Sequence, residues 1–136
     1  VERTLIAAIE QVQALEGTER QFEAFDALGP GAQADLLLSI ASEPDCGAAE
    51  ARIRAWLAGD LAALGRAVDR GFRGNAQLRR VLLADRNRWF AERLARRQAQ
   101  APSERILMAV GAAHMLGADG VPALLAAHGY TVRRIQ

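Results

Sequence analysis

Apolar residues recur at intervals of three and four along most of this chain, and short breaks rich in glycine or proline interrupt them. This spacing marks the buried face of an amphipathic helix, and the breaks mark helix ends. Thr18, Asp60 and Asp119 are the expected N-caps. In helix 47–58 we expect Ile53, Trp56 and Leu57 to face the core. The predicted helices are residues 2–9, 18–28, 30–43, 47–58, 60–71, 75–100 and 119–127.

Three short apolar segments, residues 12–15, 106–110 and 130–135, have the composition of strands. Residues 106–110 form an uninterrupted apolar run, which is typical of a strand buried on both faces. The strand–helix–strand order from residue 106 to residue 135 normally forms a right-handed parallel crossover. The pattern therefore predicts a mostly helical α/β fold, in which several helices pack on a small, largely parallel sheet.

Composition limits the classes of protein that the chain can represent. The 136 residues are 51% hydrophobic, which is enough to bury one core, and residues 1–136 are expected to form a single domain. No apolar run approaches the roughly 18 residues of a membrane span. The net charge of +1 gives no field to attract nucleic acid, and no aromatic stacking platform accompanies the arginine-rich helix. Cys46 is the one cysteine, so an intrachain disulfide is excluded.

Two polar residues interrupt the apolar faces of helix 75–100. Arg86 lies four residues after Leu82, and Asn87 lies four residues after Leu83. A buried guanidinium is costly unless it meets an anion. One interpretation is a structural ion pair with a carboxylate such as Asp85, with Asn87 holding a loop. The other is that Arg86 and Asn87 line a functional site.

His114 and Glu16 each follow a predicted strand. In α/β sheets ligands bind at the carboxyl ends of the strands, so parallel strands would bring His114 and Glu16 to the same edge. An imidazole and a carboxylate together can bind zinc or manganese, or act in acid–base catalysis. A catalytic zinc normally needs three protein ligands, however, and a histidine after a strand can equally be a hydrogen-bonded loop residue.

Four segments of the chain resemble, in order, the motifs of the TraB/GumN family. This family includes PrgY and GumN and is similar to the animal Tiki proteases. The segments are ALEGTERQFEAFDAL, WLAGDLAAL, LLADRNRWF and MAVGAAHMLGADGVPALLAAHGYTVRRI. The residues that match the motifs are Leu15, Glu16, Thr18, Gln21, Trp56, Gly59, Asp60, Arg86, Asn87, Trp89, Gly111 and His114.

The resemblance implies a metal-dependent hydrolase in which Glu16, Arg86, Asn87 and His114 line the site. His114 and Glu16 would bind a divalent metal such as zinc, manganese or cobalt. The family has two glycine–x–x–histidine motifs, and this sequence contains one of them. We therefore expect a C-terminal half of a longer domain, or a shortened relative, with an incomplete metal site that stays unoccupied.

The resemblance also suggests a peptide or protein as substrate and the bacterial periplasm or cell envelope as location. The alternative function is a non-catalytic interaction or assembly module, in which Glu16 and Arg86 form only a buried structural pair. An incomplete sheet would expose an edge, which favours a homo-oligomer.

Overall fold

The computed structural model describes residues 12–42 and 46–135, and the helix predicted at residues 2–9 lies outside them. The helices are α1 (Thr18–Asp26), α2 (Pro30–Ala41), α3 (Cys46–Ala58), α4 (Leu61–Gly71), α5 (Ala76–Arg79), α6 (Asp85–Gln100) and α7 (Val121–Ala127). A π-helical turn, Arg80–Ala84, joins α5 to α6, and a 3₁₀ turn, Ala112–Met115, precedes α7. Residues 76–100 together are called the long helix.

All regular structure in the described residues is helical and no strand is present among them, so the predicted α/β fold with a parallel sheet is wrong. Segments 12–15, 106–110 and 130–135 have no regular structure. A strand exists through hydrogen bonds to a neighbouring strand, and an apolar composition does not supply that neighbour. Leu107 is 61% exposed and Val132 is 47% exposed, whereas a doubly covered sheet would bury both.

Side-chain caps explain where two of the helices begin. The Asp60 carboxylate accepts a hydrogen bond from the Ala63 amide at 2.9 Å, as predicted for an N-cap. Asn75 does the same for Leu78 at 3.0 Å at the start of the long helix.

The other two expected caps are wrong. Gly17 is the N-cap of α1, so Thr18 is the first helical residue. Gly120 is the N-cap of α7, and the Asp119 carboxylate is paired elsewhere. In both cases the N-cap is a glycine next to the polar residue that was expected to be the cap.

The long helix contributes to both hydrophobic clusters. In the first, Leu78 packs with Leu28, which lies between α1 and α2, and with Ala32 of α2. In the second, Phe90 and Ala91 pack with Val121 of α7. Complete burial of a side chain such as Leu or Phe stabilises a fold by about 1.5–3 kcal/mol. The long helix therefore runs through the core and carries Arg86 and Asn87 between the two clusters.

Helix α3 packs on α4, and α4 in turn contacts the 3₁₀ turn. Ile53, Trp56 and Leu57 are 59%, 61% and 63% exposed, so the prediction that they face the core is wrong. Arg134 donates a hydrogen bond to the Gly59 carbonyl at 2.6 Å, which ties the C-terminal segment to the α3–α4 junction. Among the helices in the described ranges, none combines the length and the apolar character needed to cross a bilayer.

Candidate functional site

Glu16 and Arg86 form an ion pair between the loop before α1 and the long helix. Both Nε and Nη2 of Arg86 donate to Glu16 Oε2, at 2.9 and 2.6 Å. The Glu16 side chain is 7% exposed and that of Arg86 is 22% exposed. Asp85, the structural partner considered for Arg86, instead pairs with Arg88. The guanidinium is thus compensated by a carboxylate that lies 70 residues away in the sequence.

The second carboxylate oxygen of Glu16 is buried and has no hydrogen-bond partner among the described residues. Arg20 Nε lies 3.9 Å from this oxygen, which is beyond hydrogen-bond distance. Buried polar atoms without a partner are rare in folded proteins. Glu16 Oε1 is therefore an available acceptor for a ligand.

Asn87 is completely buried and connects His114 to the loop before α7. Its Nδ2 donates to the Asp119 carbonyl at 2.8 Å, so its Oδ1 faces His114 Nδ1 at 2.5 Å. An amide oxygen can only accept, and Nδ1 must therefore carry the proton. The lone pair of the neutral imidazole is then on Nε2, which can accept a proton or bind a metal.

The surroundings of His114 favour its neutral form. Burial lowers the pKa of the imidazole, and the positive charge of Arg86 lowers it further, while Glu16 acts in the opposite direction. The His114 ring packs edge-on against Phe90 at a centroid distance of 5.2 Å. The Arg86 guanidinium lies 5.5 Å from the centroid of the Phe90 ring. Phe90 therefore contacts both His114 and Arg86.

Asp119 and Arg79 position this cluster, and sequence reasoning missed both roles. Nη1 and Nη2 of Arg79 donate to the two Asp119 oxygens at 2.5 and 3.1 Å. The hydrogen bond from Arg79 is the main reason that the pKa of Asp119 is lowered. By holding the Asp119 side chain, Arg79 also fixes the carbonyl that orients Asn87.

The π-helical turn brings Arg79 and Asn87 to the same side of the long helix. Successive residues of an α-helix are about 100° apart, so these two residues would lie about 80° apart in a regular helix. A π-helical turn takes up one extra residue and reduces the difference to about 20°. Both side chains can then reach Asp119, an arrangement that regular helical periodicity does not predict.

Gly120 lets the loop before α7 close tightly. A Cβ at Gly120 would lie 2.6 Å from the Leu116 carbonyl oxygen, which is too close for any residue with a side chain. Gly117 has a φ of +77°, a conformation that favours glycine. The glycine–x–x–glycine segment therefore shapes the loop that presents the Asp119 carbonyl.

A model of the TraB/PrgY/gumN family matches residues 1–134 of this sequence. The chain belongs to this family. No curated protein and no solved structure matches it. The match covers all four residues that the sequence pointed to, Glu16, Arg86, Asn87 and His114.

This TraB/PrgY/gumN chain brings those four residues together. Two of them have an atom without a hydrogen-bond partner among the described residues, His114 Nε2 and Glu16 Oε1. Both atoms are of the kind that coordinates divalent metals. Across residues 12–42 and 46–135, no group of three or more His, Cys, Asp or Glu side chains could hold a metal. The donor chemistry therefore fits a metal, while the number of donors in the described part is one below the usual three.

Proposed function

We propose that this chain supplies part of a metal-dependent hydrolase site, with a peptide as substrate. The observation that supports the proposal is one buried cluster with two acceptor atoms that have no hydrogen-bond partner among the described residues, His114 Nε2 and Glu16 Oε1. Each acceptor is held by a neighbour on the long helix. A pair that served only stability would not need a free carboxylate oxygen beside an oriented imidazole.

Each of the four residues has a defined part in this proposal. A divalent metal, when bound, polarises a carbonyl group and lowers the pKa of a water molecule. His114 and Glu16 would hold it, and a third protein donor would come from outside the described residues. Asn87 accepts a hydrogen bond from Nδ1–H of His114, and this keeps the proton on Nδ1 and leaves Nε2 unprotonated. Arg86 occupies Glu16 Oε2 and so directs Oε1 to the ligand.

Titration of the metal-free chain with Co²⁺, followed by visible absorbance and by calorimetry, tests the proposal. We expect a single site that His114→Ala abolishes, because the variant lacks the imidazole donor. Glu16→Gln should weaken binding by about tenfold or more, since a neutral amide is a poorer ligand. His128→Ala is the matched control, because His128 is an exposed residue at the end of α7.

The two histidine variants give a decisive comparison. Equal Co²⁺ affinity of His114→Ala and His128→Ala would place the metal elsewhere and contradict the proposal. Circular dichroism of each variant confirms that the helical fold is retained, so that a loss of binding reports on the ligand.

A second candidate function is self-assembly without catalysis. It is favoured by the exposed apolar residues of segments 106–110 and 130–135, here called the exposed apolar segments. Ile106, Leu107, Tyr130, Val132 and Ile135 are all exposed in the described chain. Exposed apolar segments of this kind are suited to association with a second copy.

A further inference from the structure

An open apolar groove runs between α3 and α4. Its volume is about 360 Å³, within the usual range for sites that bind small molecules or side chains. Ile53 and Trp56 of α3 line one wall, and Leu64 and Val68 of α4 line the other. Because alanines occupy intervening positions, the two helices leave space between their larger side chains. We call this feature the α3–α4 groove.

The α3–α4 groove is continuous with the element that carries His114. Ala112, the first residue of the 3₁₀ turn, lines the groove, and His114 follows two residues later. Helix α4 contacts the same turn. A chain bound in the groove would therefore extend along the 3₁₀ turn that bears the proposed site.

A cationic concavity lies beside the groove. It has a volume of about 140 Å³ and is lined by Arg52, Arg66 and Arg70, of which Arg52 also lines the groove. Among the described residues, the side chains of these three arginines have no hydrogen bond or ion pair. By contrast, Arg54, which lies on α3 like Arg52, pairs with Glu50 at 3.1 Å. The groove is thus flanked by three positive charges without counter-ions in the described part.

We propose that the α3–α4 groove binds a polypeptide segment that has apolar side chains followed by acidic ones. The apolar side chains would pack against Ile53 and Trp56, and the carboxylates would meet Arg52 and Arg66. Exposed tryptophan and arginine are the residue types that contribute most to protein recognition. Binding in the groove does not depend on the proposed function. The inference rests on the proposed function in one respect only, which is that the bound segment would be the substrate of the site at His114.

The open shape of the groove favours a polypeptide over an acyl chain. Ile53 and Trp56 remain more than half exposed, so the groove covers one side of a ligand and leaves the other in water. An extended peptide suits this arrangement, since alternate side chains point to opposite faces. An acyl chain is apolar on all sides and is bound best in an enclosed cavity.

Fluorescence anisotropy with labelled peptides, in the presence of a chelator, tests the inference. The first probe is a blocked hexapeptide of three leucines followed by three glutamates, and the second has lysines in place of the glutamates. We expect the acidic peptide to bind about tenfold more tightly than the basic one, and its binding to weaken with salt. Because no metal is present, the result is independent of the Co²⁺ titration, and either can fail alone.

Two pairs of variants locate the binding. Arg52→Gln should weaken the acidic peptide roughly fivefold, whereas Arg54→Gln, on the same helix but outside the groove, should not. Ile53→Ser should weaken both peptides, because it removes apolar surface from the wall. Leu57→Ser is the control, since Leu57 is an exposed residue of α3 that does not line the groove.

Any of four results would overturn the inference. The first three are undetectable binding of the acidic peptide, equal affinity for the two peptides, and equal effects of Arg52→Gln and Arg54→Gln. Displacement of the acidic peptide by laurate at a lower concentration than by unlabelled peptide would also overturn it, in favour of an amphiphilic lipid as ligand.

Discussion

Glu16 and Arg86 illustrate how a single buried charge depends on its partner. Removal of a carboxylate and a guanidinium from water costs several kcal/mol for each, and their short hydrogen bonds offset that cost. The pair as a whole can therefore be nearly neutral for stability. Loss of one member is different, because it leaves the other charged, buried and without a partner.

We expect Arg86→Met to lower the free energy of unfolding by about 3–5 kcal/mol, because Glu16 is then buried without a counter-ion. Adding Glu16→Gln to that variant should recover a large part of the loss. Urea denaturation measures both. Arg88→Met removes an exposed pair with Asp85 on the same helix and should cost less than about 1 kcal/mol. Similar losses in Arg86→Met and Arg88→Met would show that the Glu16 pair is not buried in solution.

The pKa of His114 predicts a pH dependence of stability. Folding lowers this pKa from its ordinary value of about 6.5, so below that pH the unfolded chain binds more protons than the folded one. Stability should therefore fall as pH drops from about 6.5 to the folded-state pKa, and His114 should contribute nothing above that window. Urea midpoints measured across this range for the wild type and His114→Gln check the sign. A wild-type curve as flat as that of the variant would be inconsistent with a lowered pKa.

At the scale of elements, the π-helical turn Arg80–Ala84 sets the register of the functional residues. It lies between Arg79 and Asn87 and lets both reach Asp119. A helix without this turn would keep its hydrogen bonds but point one of the two side chains away. The turn thus accommodates the extra residue between Arg79 and Asn87 and keeps both side chains on the side that faces Asp119.

Deletion of Arg80 should convert the turn to regular α-helix and leave Asn87 facing Asp119, because seven α-helical steps from Arg79 end on the same side as eight steps that include the π-helical turn. We therefore expect the free energy of unfolding to change by about 1 kcal/mol or less, and proton exchange of the Asn87 side-chain amide, observed by NMR, to stay slow. Insertion of one alanine after Ala84 should instead rotate Asn87 away from Asp119 by about a quarter of a turn. With buried hydrogen bonds lost, that insertion should destabilise the fold by a few kcal/mol, on the order of 3 or more. Equal effects of the deletion and the insertion would show that the turn has no role in register.

How much of this structure the sequence predicts depends on what stabilises each element. The helices follow from periodicity and from caps such as Asp60 and Asn75, which are local. The strands do not, because the partner of a strand is a non-local property. Glu16 with Arg86 could be expected from the family motifs, but the link from Asn87 to Asp119 could not. It depends on an i to i+5 turn, which leaves no mark on the hydrophobic pattern.

At the scale of the whole molecule, two segments combine exposed apolar side chains with a lack of regular structure. The exposed apolar segments, residues 106–110 and 130–135, expose large side chains next to the core formed by the long helix and α7. Met108 and Val110 pack against that core, while Leu107 points outward. Alternation of this kind is what a strand shows when one face is covered, so these segments are suited to pairing with another chain.

We expect the chain to self-associate, with light scattering giving a mass of about twice 14.7 kDa. The double variant Leu107→Ser with Val132→Ser should shift the equilibrium to monomer, because it removes apolar area from both segments. Leu37→Ser, which changes an equally exposed residue on α2, should not. A monomer at every concentration would exclude self-assembly through these segments.

The buried amide of Asn87 also constrains the order of events during synthesis. Its partners His114 and Asp119 follow it in the sequence by 27 and 32 residues. At ordinary rates of translation, the ribosome adds those residues in about 2 to 6 s. Throughout that interval the long helix carries a polar group on its inner face with water as its only partner. The second cluster therefore cannot close around Asn87 until the segment that contains Asp119 has been made.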